Sequence, residues 1–225
     1  MEQEYGSLTR AFFKRRKEKK AKGLLTLKGG LQTLIDRLVE KGRGDIHLNT
    51  PLEALPKERT ILAVPAPVVP SFFKGDAAVE TFIESVPSAP LTVVNVAFKE
   101  KDLAPKGFGY LVPSKENETI LGVVFDSSIF PDQNQEGETR LTVMLRKGGQ
   151  EEALSALKRH LGIEDSPSAV HVKSYLHAVP QYGVGHLERV DVFMAHLQEH
   201  YPHVTCIGNY LRGVSLNSCI KVDRC

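Results

Sequence analysis

The 225-residue sequence predicts a mixed α/β (α+β) fold, with helical segments toward both ends and antiparallel strands between them. Three observations point there. Leu31, Leu34, Ile35, Leu38 and Val39 recur at i, i+3, i+4, i+7 and i+8, one face of a helix. From residue 91 the texture changes to β-rich runs, LTVVNVAF, GYLV, TILGVVFD and TRLTVMLRKG, parted by turn-rich pieces. Helical periodicity then returns in QEEALSALKRHLG and RVDVFMAHLQEHY.

The elements follow in order. YGSLTRAFFKRRKEKKAK reads as helical and then polar. Gly29-Gly30 opens the first amphipathic helix and Gly42 closes it. DIHLNTPLEAL predicts a short strand and a proline-marked second strand. RTILAVPAP predicts a buried strand stopped at Pro65 and Pro67. In DAAVETFIESV, Val79, Phe82, Ile83 and Val86 share a face and Asp76 is the N-cap candidate. Within TRLTVML, Leu141, Val143 and Leu145 point one way, Thr142 and Met144 the other. AVHVKSYLHAV is a strand running into PQYGVGH. RVDVFMAHLQEHY carries Val190, Phe193, Met194 and Leu197 in one stripe, HVTCIGN is a last strand, and VSLNSCIKV begins like a helix. The organisation expected is a basic helical segment at 1–22, one part made of 23–70 with 185–225, and a sheet-rich part at 71–184.

Composition excludes several classes. The 41% apolar and 25% charged fractions suit an ordinary globular protein. No apolar run approaches the ~20 residues of a membrane-spanning helix, and the basic N-terminus lacks the apolar core of a secretory signal. Cys206, Cys219 and Cys225 form no CxxC pair, and their odd number and wide spacing suit a reducing, cytoplasmic compartment. The net charge of +2 hides an asymmetry. Residues 10–22 hold eight Lys and Arg against Glu18, so that segment is +7 and the remainder −5. Such a stretch can bind nucleic acid or the anionic face of a membrane, but a solvated connecting helix is the plainer account of it. No aromatic interleaving supports a nucleic-acid surface.

Catalytic signatures are missing. No GxGxxG, Walker A loop or HExxH occurs. His196 and His200, at i,i+4, have the spacing of metal ligands but no partner glutamate, and a surface pair on a helix explains them. GVSLN lacks the GxSxG elbow, so Ser215 is no evident nucleophile. No catalytic side chain is assigned.

Taken together and in order, YGSL, LKGGLQTLIDRL, ILAVPAPVV, GFGYLVPS with ILGVVFDSSIFP, TRLTVML, HAVPQYGVGH and GNYLRGVSLNSCI resemble the C-terminal part of the oxygen-dependent protoporphyrinogen oxidase family, within the flavin amine-oxidoreductases. The likeness covers almost the whole chain, and GFGYLVPS with GVVFDSSIFP is its most specific part. It implies an incomplete FAD-dependent oxidoreductase fold: a remnant of the FAD-binding domain plus an antiparallel-sheet substrate domain. It implies oxidation of protoporphyrinogen IX to protoporphyrin IX, with FAD relaying electrons to oxygen. A flavin that does the redox chemistry accounts for the absent catalytic constellation. Coproporphyrinogen III oxidation to coproporphyrin III, a non-catalytic tetrapyrrole-binding module and an inert remnant are the alternatives.

Carried over residue by residue, the family's substrate-slot aromatic falls on Phe108, its apolar neighbour on Leu111, and a further apolar contact on Met144. These residue types suit a broad apolar macrocycle with an acidic rim. The cofactor contacts fall on Leu52, on Val214, Ser215 and Leu216 beside Gly213, and on Leu187, where family members carry an aromatic. Core packing is the competing reading of each. The family's strand–GxGxxG–helix unit, which holds the FAD diphosphate, has no counterpart here, and neither has its substrate-binding arginine. The chain therefore reads as the C-terminal portion of such an enzyme and is expected not to hold FAD alone.

Overall fold

The alternation of Leu141, Val143 and Leu145 marks the centre of the molecule's larger sheet. All three are buried, while Arg140, Thr142 and Met144 between them face outward. The structure is a computed structural model describing residues 26–99 and 104–222. The basic segment 10–22 and the helix expected before it lie outside the described residues.

Five strands form the antiparallel sheet: β2 (Ser88–Phe98), β3 (Gly109–Leu111), β4 (Ile120–Val124), β5 (Thr139–Leu145) and β6 (Ala169–Pro180), in the order β3-β4-β5-β2-β6. Their inner face meets a helix over Gln150–Leu161, whose Ala153, Ala156 and Leu157 are fully buried against Val94, Val96, Val123, Leu141 and Val143. Small alanines at this helix's contact let it lie close to the β-branched residues of the sheet. The other face carries no such helix among the described residues.

A second core is built from other segments. A parallel pair, β1 (Thr60–Leu62) with β7 (Val204–Cys206), lies beside the helices α2 (Ala77–Glu84) and α5 (His186–His200); α1 (Gln32–Lys41), α3 (Asp126–Ile129), α4 (the Gln150–Leu161 helix) and α6 (Leu216–Val222) complete the helices of the described residues. Phe82 of α2 stacks on Phe193 of α5 at 4.2 Å between ring centres, and Val79, Val190, Leu197, Leu62 and Tyr210 close the core around them. Asp76 caps α2 as expected, accepting from the Ala78 and Val79 amides at 3.0 and 3.2 Å. Its second oxygen takes Nε2 of His196 at 2.8 Å and the Tyr201 hydroxyl at 3.0 Å. Burial resists ionisation of Asp76, but the hydrogen bonds from His196, Val79 and Tyr201 outweigh it and hold the carboxyl below its ordinary range.

Two local expectations are corrected. DIHLNTPLEAL forms no strand: it is irregular, with Asn49 at positive φ, Pro51 removes an amide that a ladder would need, and Pro56 follows directly after it. The RTILAVPAP strand stops after Leu62, and Ala66–Phe72 winds into a 3₁₀ helix, since Pro65, Pro67 and Pro70 fix helical or polyproline φ and cannot extend a sheet. α1 forms where its periodicity predicts, yet among the described residues its apolar face is left exposed. Leu31, Leu34, Ile35, Leu38 and Val39 are 36–68% exposed. Among the described residues no helix is long and apolar enough to cross a membrane.

Candidate functional site

The register of the sheet places residues that are far apart in sequence in one line. Leu111 of β3 lies opposite Gly122 of β4, Gly122 opposite Met144 of β5, Met144 opposite Val93 of β2, and Val93 opposite Lys173 of β6. Paired residues share a face, so this line runs straight across the open side of the sheet. Leu111 is 78% exposed and Met144 half-buried. At strand spacings of about 4.8 Å, the line from Leu111 to Lys173 measures roughly 19 Å.

Gly122 makes the line flat. A side chain there would meet Leu111 Cδ2 at 3.0 Å and crowd the Tyr110 carbonyl oxygen more closely still. Gly109 serves the same end differently. Its φ of 134° suits only glycine, and any Cβ would strike the β4 backbone at Val123. Phe108 just before it is held by its backbone, its carbonyl accepting the Phe125 amide at 3.0 Å, while Ser128 accepts the Gly107 amide at 2.8 Å. The ring itself stays 60% exposed. A pinned backbone beneath an exposed ring is the arrangement of a binding surface more than of a core.

The neighbour of Leu111 on the opposite face is Tyr110, which ties β3 to α4. Its hydroxyl meets His160 Nδ1 at 2.8 Å, His160 Nε2 meets Glu118 at 3.2 Å, and Arg159 donates to the other Glu118 oxygen at 2.6 Å. Burial, reinforced by the Glu118 charge, pushes the Tyr110 phenol up to about 12. Hydrogen bonds from His160 and then Arg159 hold Glu118 below the usual carboxylate range. This chain of contacts is positional: it fixes the short strand that carries Leu111.

One row further along the open face, Asn95, Thr142 and His171 lie side by side, with Asp126 above them. The Thr142 hydroxyl is 2.8 Å from Asn95 Oδ1 and 2.7 Å from Asp126 Oδ2. Burial pushes the Asp126 carboxyl up, against the opposing pull of Thr142 and Arg140. When Asp126 is protonated it donates to Thr142, leaving that hydroxyl proton for Asn95.

A second feature lies at the carboxyl ends of β1 and β7, the place where open parallel sheets hold ligands. A cavity of about 480 Å³ opens there, lined by Val64, Pro65, Gly208, Asn209, Leu216 and His177 among others. Its walls are mainly apolar with a few polar groups, which fits a planar ring system. Of the five cofactor candidates, Leu216 lines it. Ser215 lies beside it with its hydroxyl engaged by Ser218, 2.7 Å to Oγ and 3.1 Å to the amide. Val214 is half exposed. Leu52, in the irregular segment, and Leu187, on α5, are about half exposed and do not line the cavity. Gly208, Asn209 and His177 were missed in the sequence; the Gly-Asn pair directly after a strand was the available signal.

Comparisons with known proteins identify the family and the fold. The family model for flavin containing amine oxidoreductases matches residues 2–221. The human protoporphyrinogen oxidase is 30% identical over 207 residues, which are 83% of this chain and 43% of that protein. A coproporphyrinogen III oxidase from Propionibacterium freudenreichii is 27% identical across 88% of this chain and 43% of its own length. The chain thus spans less than half the length of these curated relatives. A crystal structure from Exiguobacterium sp. 255-15, provisionally titled a protoporphyrinogen oxidase, superposes with a TM-score of 0.80 at 23% identity, over 98% of this chain and 54% of the other. With a family match over nearly every residue and a shared fold, this chain belongs to the flavin-containing amine oxidoreductases.

Proposed function

We propose that the chain forms the substrate sheet and the distal flavin wall of a porphyrinogen oxidase that converts protoporphyrinogen IX to protoporphyrin IX with oxygen as acceptor. The observation that carries this reading is the flat line Leu111–Gly122–Met144–Val93 on an open sheet face beside the exposed Phe108. An apolar macrocycle lies on such a floor, with Met144 beneath it adapting to its shape and Leu111 and the exposed Phe108 beyond one edge. Residues around the β1/β7 cavity, chiefly Val64, Pro65, Gly208, Asn209 and Leu216, hold the ring end of FAD. When bound, FAD supplies the electron acceptor. The protein's part is to exclude water, orient the macrocycle and present it to that acceptor.

The sequence offers no glycine-rich diphosphate loop, so we assign that task to a polypeptide bearing the strand–GxGxxG–helix unit. The exposed apolar face of α1 and the parallel β1/β7 pair, with Ile61 63% exposed, support this, since parallel strands are ordinarily covered on both faces. The similarity to a coproporphyrinogen III oxidase supports that substrate as the second reading. We place the protein in the cytoplasm, with residues 10–22 against an anionic membrane face.

The test is to purify the chain with and without such a complementing polypeptide. The chain alone is expected to be colourless. The pair is expected to retain stoichiometric FAD and to yield fluorescent protoporphyrin from protoporphyrinogen IX. Faster turnover of coproporphyrinogen III would select the second reading. A pair that holds FAD but oxidises neither porphyrinogen would sink the proposal, and a stoichiometrically yellow chain on its own would remove the need for a complement.

A further inference from the structure

The line across the open sheet changes character at its last strand. Leu111, Gly122, Met144 and Val93 are apolar, and the fifth member, Lys173, is a cation. Lys173 lies on the exposed edge strand β6 and, among the described residues, makes no ion pair. Its ammonium sits 6.0 Å from the centre of the Tyr175 ring, which shares its face two residues along β6. His171 lies on the same face on the other side. Asp126, above the neighbouring row, is taken up by Thr142. Lys173 is therefore an unneutralised charge at the rim of an apolar floor.

We propose that Lys173 binds a carboxylate on the rim of the macrocycle and so fixes which edge of the substrate faces β6. This rests on the reading of the open sheet as the porphyrinogen surface. Lys173 is one strand spacing from Val93 and two from Met144, about 5 and 10 Å. A ring of four linked pyrroles is on the order of two strand spacings across, about 10 Å, so one centred over Met144 and Val93 brings its rim to Lys173. An ammonium–carboxylate hydrogen bond beside an apolar wall is stronger than one in open water. The carboxylate edge then points to β6, and the edge without carboxylates points to Phe108 and Leu111.

The experiment is a fluorescence titration of the full chain with protoporphyrin IX, whose two carboxylates lie on one edge, and, separately, with its dimethyl ester. The variants are Lys173→Glu, Lys173→Gln, Lys173→Arg and Met144→Ala. The acid is expected to bind the parent more tightly than the ester. Lys173→Glu is expected to weaken the acid about tenfold, with a smaller loss for Lys173→Gln. Lys173→Arg should retain the affinity, and all three should leave the ester unchanged. Met144→Ala should weaken both ligands alike. Acid and ester affected equally by Lys173→Glu, or neither affected, would overturn the role of Lys173 while leaving the sheet surface standing. If the parent binds neither ligand, the sheet reading fails and this assignment falls with it.

Discussion

Replacing Gly122 by alanine places a methyl group into the line between Leu111 and Met144. That carbon would lie 3.0 Å from Leu111 Cδ2, 3.2 Å from Leu111 Cα and nearer still to the Tyr110 carbonyl oxygen. Two of these three atoms are backbone, so no rotamer change relieves the clash. β3 must move away from β4. β3 is three residues long, and its pairing with β4 supports both Leu111 and, through the Phe108 carbonyl, the exposed ring. Overpacking of this kind costs about 1–3 kcal/mol, which in a chain of this size lowers the melting temperature by about 2–12 °C. Affinity for a porphyrin should fall with it, because Leu111 and Phe108 shift together. Gly44→Ala is the control: nothing lies within 4 Å of a Cβ there, so its effect should stay within about 0.5 kcal/mol. Thermal unfolding followed by circular dichroism reads the first effect and fluorescence titration the second. If Gly122→Ala melts with the parent and binds porphyrin equally well, the line across the sheet is not the surface described here.

Two further expectations concern charge. Burial raises the Asp126 carboxyl, so the folded state favours the protonated form, and that contribution to stability fades as pH rises through the folded-state pKa. Asp126→Asn should therefore melt higher than the parent at neutral pH, with the difference vanishing in acid where both side chains are neutral; a lower melting temperature at neutral pH would contradict this. Residues 10–22, at +7, should bind vesicles containing anionic lipid and release them steeply as salt rises; salt-insensitive binding, or none, would remove the membrane assignment.

Much of the fold could be read from the sequence because it depends on local period. Leu141, Val143 and Leu145 announce β5, and Val190, Phe193 and Leu197 announce α5, by spacing alone. The failures have physical causes. In α1 the period was right, but a period says only that a face is apolar, and what covers Leu31 to Val39 is not among the described residues. In DIHLNTPLEAL the apolar residues alternate, but a strand needs a partner as well as a pattern, and Pro51 removes part of its hydrogen bonding. Phe108, Leu111 and Met144 were named from motif resemblance, which gave residues without geometry. Gly122 and Lys173 were not named because register is a property of strand pairs and is written in no single strand. Leu216 reaches the cavity through the turn that follows β7, whereas Leu52 and Leu187, equally apolar, sit on elements that lead elsewhere.

The line and the cavity are connected through β6, and one proline accounts for how. Ala89 pairs with Val179 but Leu91 pairs with Tyr175, so the ladder slips at Pro90, which has no amide to give it. A slip of this kind leaves residues of β6 unpaired and bends the strand. The slip spans residues 176–178, with Lys173 and Tyr175 on one side, Pro180 on the other and His177 within it; His177 and Pro180 line the cavity. From His177 to Lys173 is four residues, roughly 13 Å of strand. The slip at Pro90 therefore falls on the strand that joins the line across the sheet to the cavity at the ends of β1 and β7. Were β2 and β6 paired without interruption, β6 would run on straight along the sheet. One edge strand thus carries Lys173 at the end of the line across the sheet and His177 at the wall of the cavity.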